Sequence, residues 1–491
     1  MYYLPKFICF IALLASLSSS CAQDRQNNVY PTATEDTINM VENSLSGSVQ
    51  IQDSASTWNI EERMKIKGIN GLSIAVIRDY KIAWARGYGL SDKTSHTRVT
   101  AQTLFQAASI SKSLNAIGVL KLAQDKKIDL YTDINNYLKS WHFPYDTVSH
   151  GKKITLANLL SHTAGLTVHG FGGYEPGDSI PTLQQILDGK RPANSAPVRS
   201  MFEPGLRSEY SGGGTTISQQ IVMDVTHQSY DEYMWQKVLR PLGMTGSSYT
   251  QPPAKDKEKL LSAGYRGDGK EVEGKYHIYP EDAAAGLWTN PTDLSKYIIE
   301  TQLSLQGKSN KVLNVEMTKL RLTPYIDSNA ALGTFIMEKG GKKYFSHGGA
   351  NEGFRCQYYG SMDGGNGVVV MVNSDNGRIL DEIINSVATA YGWKDYYKPL
   401  VRKAIAITPA MINAYTGNYV LDKDTVNFSM AGSRPELVVN HAEHYPIYFS
   451  TEQDFFSTEL PFDLKFEKDA DGKVTNIYFK SNGREMRAKR L

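Results

Sequence analysis

Apolar residues near the start of the chain form two short runs that a charged turn separates. The runs cover residues 72–77 and 82–85, and the turn between them reads Arg-Asp-Tyr-Lys. Short apolar runs broken by polar residues predict a β-hairpin. From about residue 105 to residue 305 the apolar positions follow a helical period, with proline and glycine between the segments. The folded part of the chain is therefore predicted to begin with strands and to continue with helices.

Strand-like runs return late, at residues 343–346, 354–359 and 368–373, and a helical pattern follows them to about residue 391. Strands from both ends of a domain, around a helix-rich middle, predict one antiparallel sheet with an inserted helical subdomain. The predicted fold class is α+β, an antiparallel sheet flanked by helices, over residues 56–397. An active cleft is expected between the sheet and the helices.

Beyond about residue 405 the pattern changes again, to short alternating runs that turns separate. The runs lie at residues 426–430, 437–439, 447–449, 464–466 and 477–479, and an Asp-Ala-Asp-Gly-Lys turn precedes the last one. Asp-Gly between alternating runs is a strong hairpin signal. We expect a small C-terminal all-β domain, barrel-like, over residues 405–491.

The first 22 residues have the pattern of a secretory signal peptide. Lys6 precedes an apolar stretch at residues 7–17, shorter than the roughly 20 residues that span a bilayer, and small residues follow it. Two processing routes fit: cleavage after Ala22, which releases a soluble protein, or cleavage before Cys21, which leaves a lipidated cysteine in the membrane. The chain is expected to be exported, as a periplasmic, secreted or lipid-anchored bacterial protein. Residues 23–55 are rich in polar side chains and are expected to form a loosely held lead-in.

Composition narrows the classes of partner. The 491-residue chain has a formal net charge of +2 and 21% charged residues, and it lacks the basic clusters that bind nucleic acid. The cysteines are Cys9, Cys21 and Cys356, so the mature chain retains at most one unmodified thiol and no intrachain disulfide is expected. Cys356 lies in a predicted strand and is interpreted as a packed small hydrophobic residue. The sequence carries no signal for an oligomeric state.

One serine–lysine pair opens a predicted helix. Ser109 and Lys112 are three residues apart, so on a helix they share a face, with Cβ atoms about 5–6 Å apart. A lysine in a water-poor cleft can hydrogen-bond the serine hydroxyl and lower the cost of making it a nucleophile. The chain contains a second pair with this spacing, Ser149 and Lys152, in a polar stretch without a helical period, and we interpret that pair as surface.

Two further residues are candidates for the same site. Tyr210 sits at a predicted loop edge beside three glycines, where a ligand can approach closely, and a nearby lysine would favour its phenolate. His347 ends a predicted strand beside a glycine pair, and a strand edge of small residues leaves backbone N–H groups free for a substrate oxygen. Packing is the competing interpretation for both residues, because the chain has 29 tyrosines and a single histidine near a strand is commonly structural.

Taken together, these segments resemble the class C β-lactamase-like serine hydrolases, within the superfamily of serine β-lactamases and penicillin-binding proteins, over about residues 60–395. Ser109-x-x-Lys112 matches the first motif of that family. Tyr210-Ser-Gly falls where the family has Tyr-x-Asn, and His347-Gly-Gly falls where it has Lys-Thr-Gly. Supporting segments lie at residues 71–76, 159–166, 241–244 and 285–287.

The resemblance implies a role for each matching residue. The serine would attack the substrate carbonyl and form an acyl-enzyme, while the lysine and the tyrosine share the proton transfers. The backbone N–H groups of Ser109 and Ala350 would form the oxyanion hole, with Gly349 beside them in the substrate-binding edge, and His347 would line the cleft. No metal and no organic cofactor is implied, and the expected partner is a small-molecule or peptide substrate.

Two departures from the family pattern bear on the substrate. His347 is mostly neutral at pH 7 where the family has a permanent cation, and Gly348 lacks the threonine hydroxyl. Losing that ion pair removes about 1.5–3 kcal/mol of charge-assisted binding to a carboxylate. Gly212 also removes a side-chain amide, although Lys343 or Arg355 would be able to restore a cation.

These departures favour an exported hydrolase of carboxylic esters, with small amides or D-amino-acid peptides as the second substrate class. The alternatives are a true β-lactamase or D,D-peptidase and, outside the enzymes, a penicillin-recognising sensor protein that does not turn over. The C-terminal domain is expected either to shield the cleft or to serve as a passive packing partner.

Overall fold

The computed structural model describes residues 30–54, 57–440, 443–460, 462–481 and 484–491. The predicted signal peptide, including Cys9 and Cys21, lies outside the described residues. Within those ranges, no helix combines the length and the apolar character that a membrane crossing requires.

The helices are concentrated between the two groups of strands that the sequence predicted. Their bounds are α1 Thr32–Glu42, α2 Ile60–Lys67, α3 Ser111–Gln124, α4 Leu156–Leu160, α5 Leu183–Asp188, α6 Gly212–Thr226, α7 Tyr230–Met234, α8 Arg240–Leu242, α9 Asp282–Ala285, α10 Pro291–Leu305, α11 Val315–Arg321, α12 Ile379–Ala390 and α13 Pro409–Tyr415.

The strands of the first domain come from both ends of its chain. Their bounds are β1 Val49–Ile51, β2 Gly71–Arg78, β3 Lys81–Asp92, β4 Thr97–Arg98, β5 Phe105–Gln106, β6 Trp288–Thr289, β7 Ala330–Ala331, β8 Thr334–Lys339, β9 Lys342–Asn351, β10 Phe354–Ser361, β11 Gly367–Val372 and β12 Leu400–Arg402. Eight of them form one sheet in the order β4-β3-β2-β11-β10-β9-β8-β7, and every neighbouring pair is antiparallel. The predicted α+β fold with an inserted helical subdomain is confirmed.

The central strands are apolar on both faces because each face is covered. In β11, Val369 and Met371 pack on the helical subdomain, whereas Val368, Val370 and Val372 pack on the opposite face with α1, α2 and α12. Side chains alternate between the two faces of a strand, so a strand buried on both sides reads as a continuous apolar run. We call these the helical face and the back face of the sheet.

The expected loose lead-in is wrong for residues 30–54. Helix α1 packs on the back face through Ile38 and Val41, which are fully buried, and Ser386 Oγ of α12 donates to Val41 O at 2.8 Å. Strand β1 then pairs in parallel with β12. Two apolar side chains with helical spacing are enough here, because distant elements complete the buried surface.

The C-terminal strands form the predicted barrel-like domain. Their bounds are β13 Gly417–Leu421, β14 Asp424–Ala431, β15 Arg434–Val439, β16 Glu443–Pro446, β17 Tyr448–Phe449, β18 Asp454–Phe456, β19 Asp463–Lys468, β20 Val474–Ser481 and β21 Arg484–Arg490. They make a nine-stranded, nearly closed sheet in the order β16-β15-β14-β13-β21-β20-β19-β18-β17. Aromatic side chains such as Phe428, Phe449 and Phe466 fill its interior.

Buried ion pairs join the C-terminal domain to the back face of the sheet. Glu459 pairs with Arg63 at 3.3 Å and with Lys67, both on α2, and Arg63 also pairs with Glu382 of α12 at 2.6 Å. These four side chains are at most 10% exposed. The contacts therefore lie on α2 and α12, on the side of the sheet away from the helical subdomain.

Candidate active site

Ser109 and Lys112 meet as the helical spacing predicted. Ser109 lies in a short 3₁₀ turn, Ala108–Ile110, which leads directly into α3, and Lys112 lies in the first turn of that helix. Lys112 Nζ donates to Ser109 Oγ at 3.0 Å and to the carbonyl oxygen of Ala284 at 2.7 Å. The ammonium is buried, so these two oxygens replace water around it.

The residue before the serine holds an unusual backbone conformation. Ala108 has φ +49°, in the left-handed region that side chains with a Cβ seldom adopt. The side chain of Ser111 supports this turn, since its Oγ donates to Ala108 O at 2.5 Å and accepts from Leu287 N–H at 3.0 Å. The turn is thereby held against both α3 and the segment that follows α9.

Tyr210 lies over the same lysine. Its ring centroid is 5.0 Å from Lys112 Nζ, which places the cation over the face of the ring. Ser211 is the N-cap of α6, and its Oγ accepts from Gly214 N–H, so the glycines expected in a loop form the first turn of a helix instead. Packing explains Gly213, because a Cβ there would approach a methyl carbon of Val198 to 2.7 Å.

His347 is buried on the helical face of β9, close to Tyr210. The two ring centroids are 6.3 Å apart. Burial, and then the charge of Lys112, lower the pKa of His347 to about 3. Nδ1 lies 2.6 Å from Gly348 O, to which a neutral imidazole donates, so Nε2 carries a lone pair. Nε2 is buried and has no hydrogen-bond partner within the described part of the chain.

The edge of β9 faces the serine. Pairing with β8 ends at Ser346, whereas pairing with β10 continues to Asn351. Thr334 of β8 donates to Ser346 O, so the backbone groups of Ser346 point away from β10. Because these groups alternate in direction along a strand, the N–H of Ala350 also points to the free side.

Gly349 supplies close approach at this edge. A Cβ on Gly349 would come within 2.2 Å of Ala107 O and 2.5 Å of Cys356 Sγ. By the same alternation its N–H points toward β10, so Ala350 is the residue whose N–H is available to a substrate oxygen. A glycine is required where β9 crosses the turn that carries the serine.

This arrangement of a Ser-x-x-Lys turn, a tyrosine and a strand edge can be compared with known proteins. The family model for Beta-lactamase matches residues 58–387. The chain belongs to the Beta-lactamase family. PbpX of Bacillus subtilis (strain 168), described as a penicillin-binding protein, is 25% identical over 346 residues, which cover 69% of this chain and 79% of that protein. The sequence-based resemblance is thereby confirmed.

The solved structures that share the fold include a penicillin-binding protein homologue and a D-amino acid amidase. The octameric penicillin-binding protein homologue from Pyrococcus abyssi has a TM-score of 0.61 at 20% identity and covers 88% of this chain and 98% of its own. The D-amino acid amidase from Ochrobactrum anthropi SV3 has a TM-score of 0.56 at 19% identity, with 73% and 98% covered.

Within this Beta-lactamase family domain, neither candidate cation replaces the lysine of Lys-Thr-Gly. Arg355 pairs with Asp375 at 2.9 Å, and its position in β10 alternates with that of Cys356, which faces the serine turn. Lys343 is exposed and lies opposite Glu338 at the far end of β9. The third motif therefore presents a neutral imidazole.

The other sequence interpretations can also be placed. Ser149 is buried and its Oγ donates to Asp146 O at 2.7 Å, so the surface interpretation of the second pair is wrong for the serine. Lys152 is exposed, as expected, and pairs with Glu203. Cys356 is buried, and burial raises the pKa of its thiol. The packed interpretation of this cysteine is confirmed.

The contribution of His162 to the site was not predicted from the sequence. This residue lies in the supporting segment at residues 159–166, and its ring lies 4.3 Å from the Tyr210 ring, centroid to centroid. Phe335 of β8 completes the surroundings, with its centroid 5.3 Å from that of His347 and 6.2 Å from that of His162. Only the presence of a histidine in a matched segment pointed to the site.

Proposed function

We propose that this protein is an exported serine hydrolase that acts through an acyl-Ser109 intermediate on carboxylic esters, and on small amides or D-amino-acid peptides. The observation that carries the proposal is the 3.0 Å contact between Lys112 Nζ and Ser109 Oγ. A buried lysine within hydrogen-bond reach is what a serine hydroxyl needs to become a nucleophile. Membership of the Beta-lactamase family supports the same reaction class.

The reaction would proceed in two proton-balanced steps. Ser109 Oγ bonds to the acyl carbon, its proton passes to the Lys112–Tyr210 pair, and the proton then goes to the departing alcohol or amine. Water, deprotonated by the same pair, attacks the acyl carbon and releases the acid, and Ser109 Oγ recovers its proton. The N–H groups of Ser109 and Ala350 would stabilise the oxyanion in both steps.

The third motif sets the class of substrate. His347 is neutral above about pH 4, because the pKa of its imidazole is about 3, so it offers no charge to a substrate carboxylate. Substrates without a carboxylate at that position, such as simple esters and amides, lose nothing from this change. The fold shared with a D-amino acid amidase supports amides as the second class.

A fluorophosphonate probe with intact-mass detection tests the nucleophile. The wild-type mature chain is expected to gain one adduct, and Ser109→Ala to gain none. Ser149→Ala is the matched control, because it alters the second Ser-x-x-Lys pair, and it should label like wild type. Equal labelling of wild type and Ser109→Ala, or no labelling of wild type, would refute the proposal.

A substrate panel then separates the rivals. We expect an aryl acetate and a D-amino acid amide to be hydrolysed with a kcat/KM at least about tenfold above that for a chromogenic cephalosporin, from the missing ion pair. Comparable rates on the cephalosporin would favour a β-lactamase or D,D-peptidase. An acyl adduct of the cephalosporin that persists for hours, with no ester hydrolysis, would favour a sensor.

Export and lipid attachment are tested in cells. If Cys21 is lipidated, labelled palmitate enters the wild-type protein and is lost in Cys21→Ala. A protein that is exported without label uses the route that cleaves after Ala22. A product that stays in the cytoplasm contradicts the proposal of export.

A further inference from the structure

Three contacts from one residue bracket Tyr210. The carbonyl oxygen of His162 accepts the N–H of Glu209 at 2.8 Å, and its imidazole Nδ1 accepts the N–H of Ser211 at 3.2 Å. Between these two hydrogen bonds, the His162 ring packs against the Tyr210 ring, with centroids 4.3 Å apart and planes inclined by 37°. The residues before and after the tyrosine, and the tyrosine itself, are thus all held by His162.

The protonation state of His162 suits this arrangement. Nδ1 accepts a hydrogen bond from Ser211 N–H, so it carries no proton. The imidazole is buried, and burial, followed by the charge of Lys112, lowers its pKa well below the usual value. A neutral ring adds no second positive charge beside the lysine, and it accepts the Ser211 hydrogen bond over the whole neutral pH range.

The backbone conformation of His162 allows it to make both hydrogen bonds. Its φ is +59°, in the left-handed region, although the residue is not glycine. A non-glycine residue remains there only where the surrounding structure holds it. In this conformation the carbonyl and the ring of one residue reach two N–H groups that are two positions apart in another segment.

Tyr210 is also fixed relative to the third motif. The rings of His162, Tyr210, His347 and Phe335 form a closed set, with centroid distances of 4.3, 6.3, 5.3 and 6.2 Å around it. A shift of the His162 ring would therefore displace the tyrosine with respect to both Lys112 and His347.

We propose that His162 is the positioning residue that sets the place of Tyr210 over Lys112, acting through the two hydrogen bonds and the ring contact. The inference rests on the proposed function, because it assigns Tyr210 to the proton transfers. His162 itself does not touch the reacting atoms.

Two substitutions of His162 separate its hydrogen bond to Ser211 N–H from its ring contact with Tyr210. His162→Phe keeps an aromatic ring and loses the acceptor for Ser211 N–H. His162→Asn keeps a short acceptor, tolerates the left-handed conformation and loses the ring. The matched control is His227→Asn, since His227 also has a left-handed backbone, with φ +56°, but caps the other end of α6 and is exposed.

A double-mutant cycle measures whether His162 acts through Tyr210. Either His162 variant is expected to lower kcat/KM on an aryl ester by about 10–100-fold, since a misplacement of about 1 Å has effects of that size. In a Tyr210→Phe background, His162→Phe should cause no further loss, and His227→Asn should change nothing. Losses that multiply in the double variant, or no loss in either single variant, would overturn the inference.

A second readout does not depend on activity. With 3-fluorotyrosine at position 210, ¹⁹F NMR should show one narrow resonance in wild type and in His227→Asn, and a shifted or broadened one in both His162 variants. An unchanged resonance in both His162 variants would overturn the inference even if the protein hydrolyses esters. A wild type that fails to hydrolyse or label, yet shows the shift on substitution, refutes the proposed function and leaves the positioning role supported.

Discussion

Replacing Gly349 by alanine tests the contact between β9 and the turn that carries Ser109, the proposed nucleophile. A Cβ at this position would lie 2.2 Å from Ala107 O and 2.5 Å from Cys356 Sγ, and both atoms belong to buried residues. To reach ordinary contact, β9 and the turn must separate by about 1 Å, since neither a backbone carbonyl nor a packed thiol can swing aside.

The structure gives the size of the expected effect. Ala350 follows Gly349 directly, so a shift of the strand moves the N–H of Ala350 relative to Ser109. We expect kcat/KM on an aryl ester to fall about 100-fold in Gly349→Ala, because the proposed oxyanion donor, the N–H of Ala350, is misplaced. Overpacking should also lower the free energy of unfolding by about 1–3 kcal/mol.

Gly348→Ala is the matched control, one residue away on the same strand. Its Cβ would meet Gln357 Oε1 at 2.7 Å, which is the far end of a flexible side chain and can move. Steady-state kinetics and urea unfolding of both variants decide the question. Equal kcat/KM for the two variants, within about threefold, would refute the geometry argued for the strand edge.

Three further predictions concern stability and reactivity. The pKa of His347 is about 3 in the folded protein and near 6.5 in the unfolded chain, so the unfolded chain binds more protons between these values and stability falls as the pH drops below 6.5. The fall of Tm from pH 6.5 to 4.5 should therefore be smaller in His347→Gln than in wild type or in the exposed control His227→Gln. An equal fall of Tm in His347→Gln and wild type would contradict this. Cys356 should resist iodoacetamide in the native protein and react in urea, as peptide mass mapping would show, and rapid native labelling would contradict its burial. Glu459→Gln removes the carboxylate partner of two buried cations of α2, and it should lower the free energy of unfolding by about 3 kcal/mol, measured in urea. Glu443→Gln, at an exposed ion pair, should lower it by less than about 1 kcal/mol. Equal losses in the two variants would contradict the difference in burial.

Local sequence patterns predicted the contact between Ser109 and Lys112, but not the residues that hold Lys112 and Tyr210 in place. The spacing of Ser109 and Lys112 is a property of one helical turn, so their contact was predictable without knowledge of the rest of the fold. The support from Ala284 and His162 comes from segments about 170 and 50 residues away from the serine and lysine, and no local pattern reports such distances. The glycines after Tyr210 lie in a helix despite their low helix propensity, and at Gly213 the reason is tertiary packing, because Val198 leaves no room for a side chain.

The fold was predictable wherever the hydrophobic pattern within a single element was enough to identify it as a strand or a helix. The hairpin β2–β3, the late strands and the barrel all have alternating or continuous apolar runs that end at turns. Helix α1 lacks such a signal, since Ile38 and Val41 are its only fully buried apolar residues and its other buried surface depends on α12. Helix α1 was therefore not predicted, because its sequence is mostly polar and its packing partner, α12, lies more than 300 residues away.

The order of the strands constrains when the protein can first act during synthesis. Leu72 of β2 pairs with Val372 of β11 in the middle of the main sheet. Strand β2 of the hairpin is therefore made about 300 residues before its partner β11. Closing such a long loop is slow and comes late in folding. A nascent or prematurely terminated chain that already contains the serine, lysine and tyrosine still lacks β9, which carries Ala350. Under the proposed mechanism, we therefore expect such a chain to be inactive until nearly the whole first domain has left the ribosome.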